Sequence, residues 1–359
     1  MSNQAHPDKL MAGQNNVKET DVRYYDVREN ENFDLYGFYN PRTEPVFKRL
    51  PDEIGLNVNS GVASLYLNTA GGRVRFSTDS EYVVIRAFLP KTCRFDHMPL
   101  TGTSGFDLYV DDEATHRSTY FGTFRPPMDM TDGYVQILKF KTRELRHLTV
   151  NFPLYNKVDA LEIGLQEDAT VGHGLPYANE LPVVFYGSSI TQGGCASRPG
   201  NCYENMIARR LDMDYINLGF SGSGRAEDLI VDYMKNMKMS AFVSDYDHNA
   251  PNPQYLAETH YKMYRAIRDA NPTLPYVMIS RPDCIKSPED TANRREVIFE
   301  TYRRARAEGD RNVYYIDGEG FFKGEWEDCC TVDGTHPTDL GFHFMADSIG
   351  NTLKKLKLS

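Results

Sequence analysis

The chain has 359 residues, 40% of them apolar and 12% aromatic, enough to bury more than one hydrophobic core, and two domains are expected. Its 50 acidic and 40 basic residues leave a formal charge of −10, which repels phosphate backbones and anionic lipid, so neither nucleic acid nor a membrane is expected as a partner. No apolar run approaches the ~20 residues that span a bilayer, and the opening MSNQAHPDKLMAGQNN has no apolar signal segment; a cytoplasmic protein is expected, with a trimmed secreted form left open.

Residues 1–20 are polar and read as a tail. From residue 21 to about 170 the apolar residues recur with period two, the mark of strands with one buried face. VASLYL, RVRFS, YVVIRAFL, GFDLYV, YVQILKF, HLTVNF and LEIGL read this way: Leu161, Ile163 and Leu165 share a side, as do Phe106, Leu108 and Val110. Clusters of Gly, Asp, Asn and Pro separate them. Such runs, with no long helix among them, predict an all-β antiparallel sandwich of jelly-roll type.

After the linker EDATVGHGLPYANE the pattern changes. Between 181 and 359 the short apolar runs PVVFYG, DYINLGF, SAFVSDY, PYVMIS and NVYYIDG alternate with amphipathic helices. Leu256, Met263 and Ile267 share one helix face, and the last helix lines up Phe342, Met345, Ile349, Leu353 and Leu356. This predicts an α/β region with a doubly wound, parallel five-stranded sheet, whose ligands sit beyond the carboxyl ends of the strands.

The first of those strands runs directly into Gly187, Ser188, Ser189 and Thr191. A serine at that place can simply cap a helix or form a turn. Other residues on the same edge point to chemistry. DGTHPTDLGF puts Asp333 and His336 in the loop after the fifth strand, on the edge where Ser189 lies. An imidazole there can take the serine proton as the hydroxyl attacks an ester, and a carboxylate on its other nitrogen fixes the tautomer and stabilises the imidazolium. The resulting oxyanion needs hydrogen-bond donors. Gly222, in NLGFSGSGR after the second strand, lets a backbone N–H approach substrate, and Asn249, in SDYDHNAP after the third, offers a side-chain N–H. Taken singly, these two residues read equally well as a tight turn and an Asx-turn.

Jointly, GSSIT, the Gly222 loop, Asn249 and the Asp333/His336 pair resemble the SGNH, or GDSL-like, hydrolases over residues 181 to about 350. The resemblance implies a flavodoxin-like sheet and a serine esterase, with Ser189 as nucleophile, His336 and Asp333 completing the triad, and the Ser189 N–H, Gly222 and Asn249 forming the oxyanion hole. Ser188 replaces the usual Asp of GDS, as in a carbohydrate-esterase-like subgroup, and DYDHN replaces the usual G-x-N-D. SGFDLYV resembles the GxDLY signature of the β-domain that precedes the hydrolase domain in that subgroup, through Gly105, Asp107, Leu108 and Tyr109. Together they imply an acetylesterase acting on oligo- or polysaccharides, with an acetylated small molecule or oligosaccharide as its partner and no cofactor; a homo-oligomer stays open.

The six cysteines lack metal-ligand spacing, and no HExxH, CxxC or EF-hand loop occurs, so no metal is expected. Cys195 and Cys202 flank a Pro-Gly turn and could bridge in an oxidising compartment; reduced thiols are expected, with the bridge left open. Alternatives remain open. A lipase or arylesterase would suit a long apolar lid, which is not evident, whereas 23 tyrosines suit a hydrated glycan. A non-catalytic sugar binder has no need of Ser189, Asp333 and His336. GFSGSG spaces its glycines G-x-x-G-x-G and no Walker lysine follows, which argues against a nucleotide site.

Overall fold

In the computed structural model, which describes residues 17–282, 287–356 and 358, the period-two alternation of the first half becomes two antiparallel sheets. Their strands are β1 (Val22–Asp26), β2 (Asp34–Tyr36), β3 (Arg73–Thr78), β4 (Tyr82–Phe88), β5 (Phe106–Asp112), β6 (Arg117–Phe124), β7 (Gly133–Lys139), β8 (Arg146–Asn151), β9 (Ala160–Gln166) and β10 (Val171–His173). One sheet runs β1-β9-β4-β7 and the other β10-β3-β8-β5-β6, with β2 also paired to β3. Without the short β2 and β10, this is a double-sheet jelly roll. Val83, Ile85 and Ala87 of β4 and Leu161, Ile163 and Leu165 of β9 meet Val74, Phe76, Leu108 and Val150 of the other sheet in one buried core. A Leu→Ala change in such a core costs about 2–5 kcal/mol. Most of the expected tail, residues 1–16, lies outside the described residues.

This β-rich unit comprises Met1–Arg49, Leu67–Pro176 and Arg198–Gly200. The last segment explains the Asp of the signature. Asp107 is buried and accepts hydrogen bonds from Asn151 Nδ2, Arg198 Nη1 and Gly200 N, each at 2.8 Å. Only glycine fits at 200, since a Cβ would lie 2.2 Å from the Tyr109 hydroxyl.

The second unit comprises Leu50–Tyr66, Tyr177–Ser197 and Asn201–Ser359. Its strands are β11 (Asn179–Gly187), β12 (Met213–Gly219), β13 (Ala241–Asp245), β14 (Tyr276–Ile279) and β15 (Val313–Ile316), in the order β12-β11-β13-β14-β15 with every pair parallel. Between and after them come α1 (Ser189–Gln192), α2 (Tyr203–Leu211), α3 (Asp228–Met234), α4 (Pro253–Ala270), α5 (Pro288–Ala307) and α6 (Asp339–Lys354). Leu256, Met263 and Ile267 of α4 are buried, as are Phe342, Met345, Ile349 and Leu353 of α6, whereas Leu356 falls past the helix end. Among the described residues, no helix is long and apolar enough to cross a membrane.

One expected strand is a helix. VASLYL overlaps the helical segment Ser60–Leu65, because Asn59 caps it by accepting from Val62 N at 2.8 Å. That segment groups with the α/β unit, although the sequence pattern placed it within residues 21–170.

Candidate active site

β11 lies where the strand order reverses, so its carboxyl end opens on the crevice that binds ligands in this architecture. Gly187 ends the strand because a Cβ there would lie 2.1 Å from Thr191 Oγ1 and 2.3 Å from the Asp245 carbonyl oxygen. Ser188 then caps α1. Its hydroxyl accepts from Ile190 N at 3.1 Å, and its own N–H donates to the Asp245 carbonyl at 3.1 Å. With the capping done by Ser188, Ser189 is the first helical residue, and its Oγ lies 2.9 Å from His336 Nε2. The helix lasts one turn and stops at Gly193, at φ 93°.

His336 sits on one arm of a narrow hairpin. Val332 N donates to the His336 carbonyl and Thr338 N to the Cys330 carbonyl, both at 2.9 Å, and the tip turns at Gly334 with φ 81°. Asp333 folds over that tip, its Oδ1 accepting from Thr335 N at 3.0 Å and His336 N at 2.8 Å, its Oδ2 lying 2.8 Å from His336 Nδ1. Burial pushes the Asp333 carboxyl up, but the backbone N–H and imidazole of His336 outweigh it and hold the group at about 2. An ionised carboxylate accepts only, so Nδ1 carries the proton and the Nε2 lone pair faces Ser189.

Phe220 gathers the remaining strand ends. Its N–H donates to the Gly187 carbonyl at 3.0 Å, and its carbonyl accepts from Ser223 N at 2.8 Å, Gly224 N at 3.0 Å and Asn249 Nδ2 at 2.8 Å. Gly222 stands on the outside of this turn at φ 67°, with nothing within 4 Å of where a Cβ would be. The hydrogen bonds that close the turn come from the next two N–H groups. Asn249 uses one of its two amide hydrogens on Phe220, which leaves the other for a ligand.

Sequence reading missed the groups that hold Asn249. Arg294 of α5 is buried, and its Nη1 donates to the carbonyls of Asp247 at 2.6 Å and Ala250 at 2.8 Å, bracketing the helical turn Asp247–Asn249. An arginine in a charged helical run reads as a solvated face, so no local signal marks it. Burial pushes Asp247 up to about 6 against the Arg281 N–H and the charges of Arg281 and Arg294. Burial, helped by Arg281, His336 and Arg294, pushes His248 down to about 3, so this imidazole is neutral. Asp245, under α1, lies 3.3 Å from the Thr191 hydroxyl and 3.4 Å from that of Tyr203. Burial, then the Asp247 charge, push its carboxyl well above the usual range. Cys195 and Cys202 are separate thiols, the first pushed up to about 12 by burial and by the Asp333 charge.

The parallel sheet of order 2-1-3-4-5 with this edge constellation defines a hydrolase of SGNH fold, preceded by a β-rich region. Residues 180–354 match the GDSL-like lipase/acylhydrolase family, and residues 22–171 match the GxDLY family, the N-terminus of SGNH-hydrolase-type esterases; the chain belongs to these esterases. A candidate GDSL-like lipase from Bacteroides ovatus is 26% identical with a TM-score of 0.83, over 93% of this chain and 97% of that one. The salicylyl-acyltransferase SsfX3 of a tetracycline biosynthetic pathway has a TM-score of 0.77 at 18% identity, over 95% and 100%. An acetyl xylan esterase from the rumen bacterium Butyrivibrio proteoclasticus has a TM-score of 0.58 at 12% identity, over 94% and 98%. These last two share the fold. No curated protein matches the chain.

Proposed function

We propose that the protein is a serine esterase that removes O-acetyl groups from oligo- or polysaccharides. The observation that carries this reading is the unbroken series from Ser189 Oγ to His336 Nε2 at 2.9 Å and from His336 Nδ1 to Asp333 Oδ2 at 2.8 Å, at a carboxyl sheet edge. Ser189 attacks the acetyl carbonyl while His336 takes its proton, and Asp333 stabilises the imidazolium. The Ser189 and Gly222 N–H groups and Asn249 Nδ2 receive the oxyanion. His336 then gives the proton to the departing sugar oxygen. Water, deprotonated by the same imidazole, releases acetate from Ser189.

The carbohydrate side of the reading is supported by the acetyl xylan esterase among the structural relatives and by Ser188 in place of an aspartate. An acetyl site needs only a shallow acyl pocket, and each methylene left unburied forfeits ~0.8 kcal/mol of transfer energy. Acetate release from acetylated xylo-oligosaccharides, measured beside p-nitrophenyl acetate and octanoate, tests it. Release from the oligosaccharide and preference for the aryl acetate are expected. Faster octanoate hydrolysis with no acetate from the oligosaccharides would instead assign a lipase or arylesterase.

A further inference from the structure

An oxyanion donor works only if it is held in place before charge develops. Gly222 stands exposed on the outside of its turn, in the left-handed region where glycine has the most freedom, so the backing of the turn decides where its N–H points. Phe220 secures the inner side. The outer side is secured by a segment far away in sequence.

Leu50–Tyr66 branches from the chain between β2 and β3 of the β-rich unit, yet groups with the α/β unit. Asn59, 164 positions before Ser223, makes three contacts with one side chain. Its Oδ1 accepts from Val62 N at 2.8 Å and starts the helix Ser60–Leu65. Its Nδ2 donates to the Ser223 carbonyl at 3.0 Å and to Glu227 Oε1 at 2.6 Å, at the two ends of the stretch from the Gly222 turn to α3. Gly61 leans on the same turn, since a Cβ would lie 1.9 Å from Ser223 Oγ and 2.7 Å from Ser223 Cβ. Beyond Ser223, the Tyr255 hydroxyl holds the Arg225 carbonyl at 3.1 Å and the Tyr186 hydroxyl accepts from Ala226 N at 2.7 Å.

We propose that Asn59 and Gly61 are positioning residues of the oxyanion hole: the capped helical turn they open is the back wall that holds the Gly222 peptide in its donor orientation. This rests on the esterase reading above. It makes part of the N-terminal half of the chain necessary for the chemical step, independently of any role in substrate recognition.

Four variants of the full chain test it with p-nitrophenyl acetate, beside Ser189→Ala. Asn59→Ser keeps a capping oxygen but removes the Nδ2 donor. It is expected to lower kcat by about tenfold or more, less than outright loss of a donor, with KM within about twofold and Tm little changed. Gly61→Ala introduces a better helix former, so a fall in its kcat reflects crowding, foremost against Ser223, whose Oγ and Cβ would lie nearer the new Cβ than Asn59 Oδ1 at 3.3 Å. Ser223→Gly, which removes the atoms that clash, should restore the kcat of Gly61→Ala to that of Ser223→Gly alone. A merely structural role would lower Tm without this kcat loss and rescue. Wild-type kcat in Asn59→Ser, or a Gly61→Ala defect that Ser223→Gly leaves uncorrected, overturns the proposal. If Ser189→Ala is inactive in that case, only the back-wall inference fails; if Ser189→Ala turns over esters, the esterase reading itself fails.

Discussion

Asp333 holds His336 twice, by the backbone N–H on Oδ1 and by the imidazole Nδ1 on Oδ2, both at 2.8 Å. One carboxylate therefore sets both the loop conformation and the ring orientation. Asp333→Asn keeps the shape but offers an amide N–H where an acceptor is needed, which favours the wrong tautomer. We expect kcat for aryl acetate to fall on the order of 10²- to 10⁴-fold with little change in KM. A variant within about threefold of wild type would remove Asp333 from the series.

The same contacts give a stability signature. Asp333 is held at about 2 in the fold, below the ordinary carboxylate value of about 3.9. Its contribution is therefore fully present above about pH 4 and is lost as pH falls through about 2. Denaturant titrations of wild type and Asp333→Asn between pH 5 and 2 should converge on acidification. Curves that stay parallel across that range would show that the ion contributes nothing to stability.

The two adjacent serines should separate cleanly. Ser189→Ala is expected to abolish esterase activity with the circular dichroism of the fold unchanged. Ser188→Ala loses the cap on Ile190 N, about 1 kcal/mol of stability, and retains most turnover. Equal activity loss in both would contradict the division of labour between capping and attack.

Asn249→Ala should lower kcat on the order of a hundredfold or more through loss of an oxyanion donor. Arg294→Lys keeps a charge but has one nitrogen where Arg294 uses two, Nη1 on the carbonyls of Asp247 and Ala250 and Nε on Asp290 Oδ2, and should lower kcat in the same direction by less. Steady-state kinetics of the two variants checks this. Full activity in Asn249→Ala would place the donor elsewhere in the DYDHN stretch.

Asp245 yields a prediction of opposite sign. Burial raises its pKa, so the fold holds a proton that the unfolded chain releases, and stability declines as pH rises from about 4 toward the raised value. Asp245→Asn is the neutral isostere and can still meet the hydroxyls of Thr191 and Tyr203. Its stability relative to wild type should increase with pH, as read from Tm at pH 5, 7 and 9. A variant uniformly less stable than wild type would mean that the carboxylate is charged in the fold.

Legibility in the sequence followed the range of the interactions. The strands of the α/β unit and the faces of α4 and α6 were readable because burial imposes a local period on apolar residues. β6 was missed because Tyr120 and Phe121 are exposed, so the strand has no clean buried face to announce it. VASLYL alternates like a strand, but the capping bond from Asn59 to Val62 N, a local signal that the alternation masked, starts a helix there, and the contact with Ser223, which depends on the fold, holds it. Ser189, His336 and Asp333 were visible through residue type and position at strand ends. Arg294 and Asn59 were not, because each acts on backbone carbonyls of a distant loop and leaves no spacing to read.

In the proposed function Ser189 is the nucleophile of an esterase and is activated by His336. Incubation with a fluorophosphonate, followed by intact mass and peptide mapping, tests it most directly. One covalent adduct is expected, on Ser189 in the peptide containing GSSIT, with loss of aryl acetate hydrolysis in proportion to labelling and far slower labelling in His336→Ala. No adduct, an adduct on another residue, or equal labelling rates in wild type and His336→Ala would contradict it.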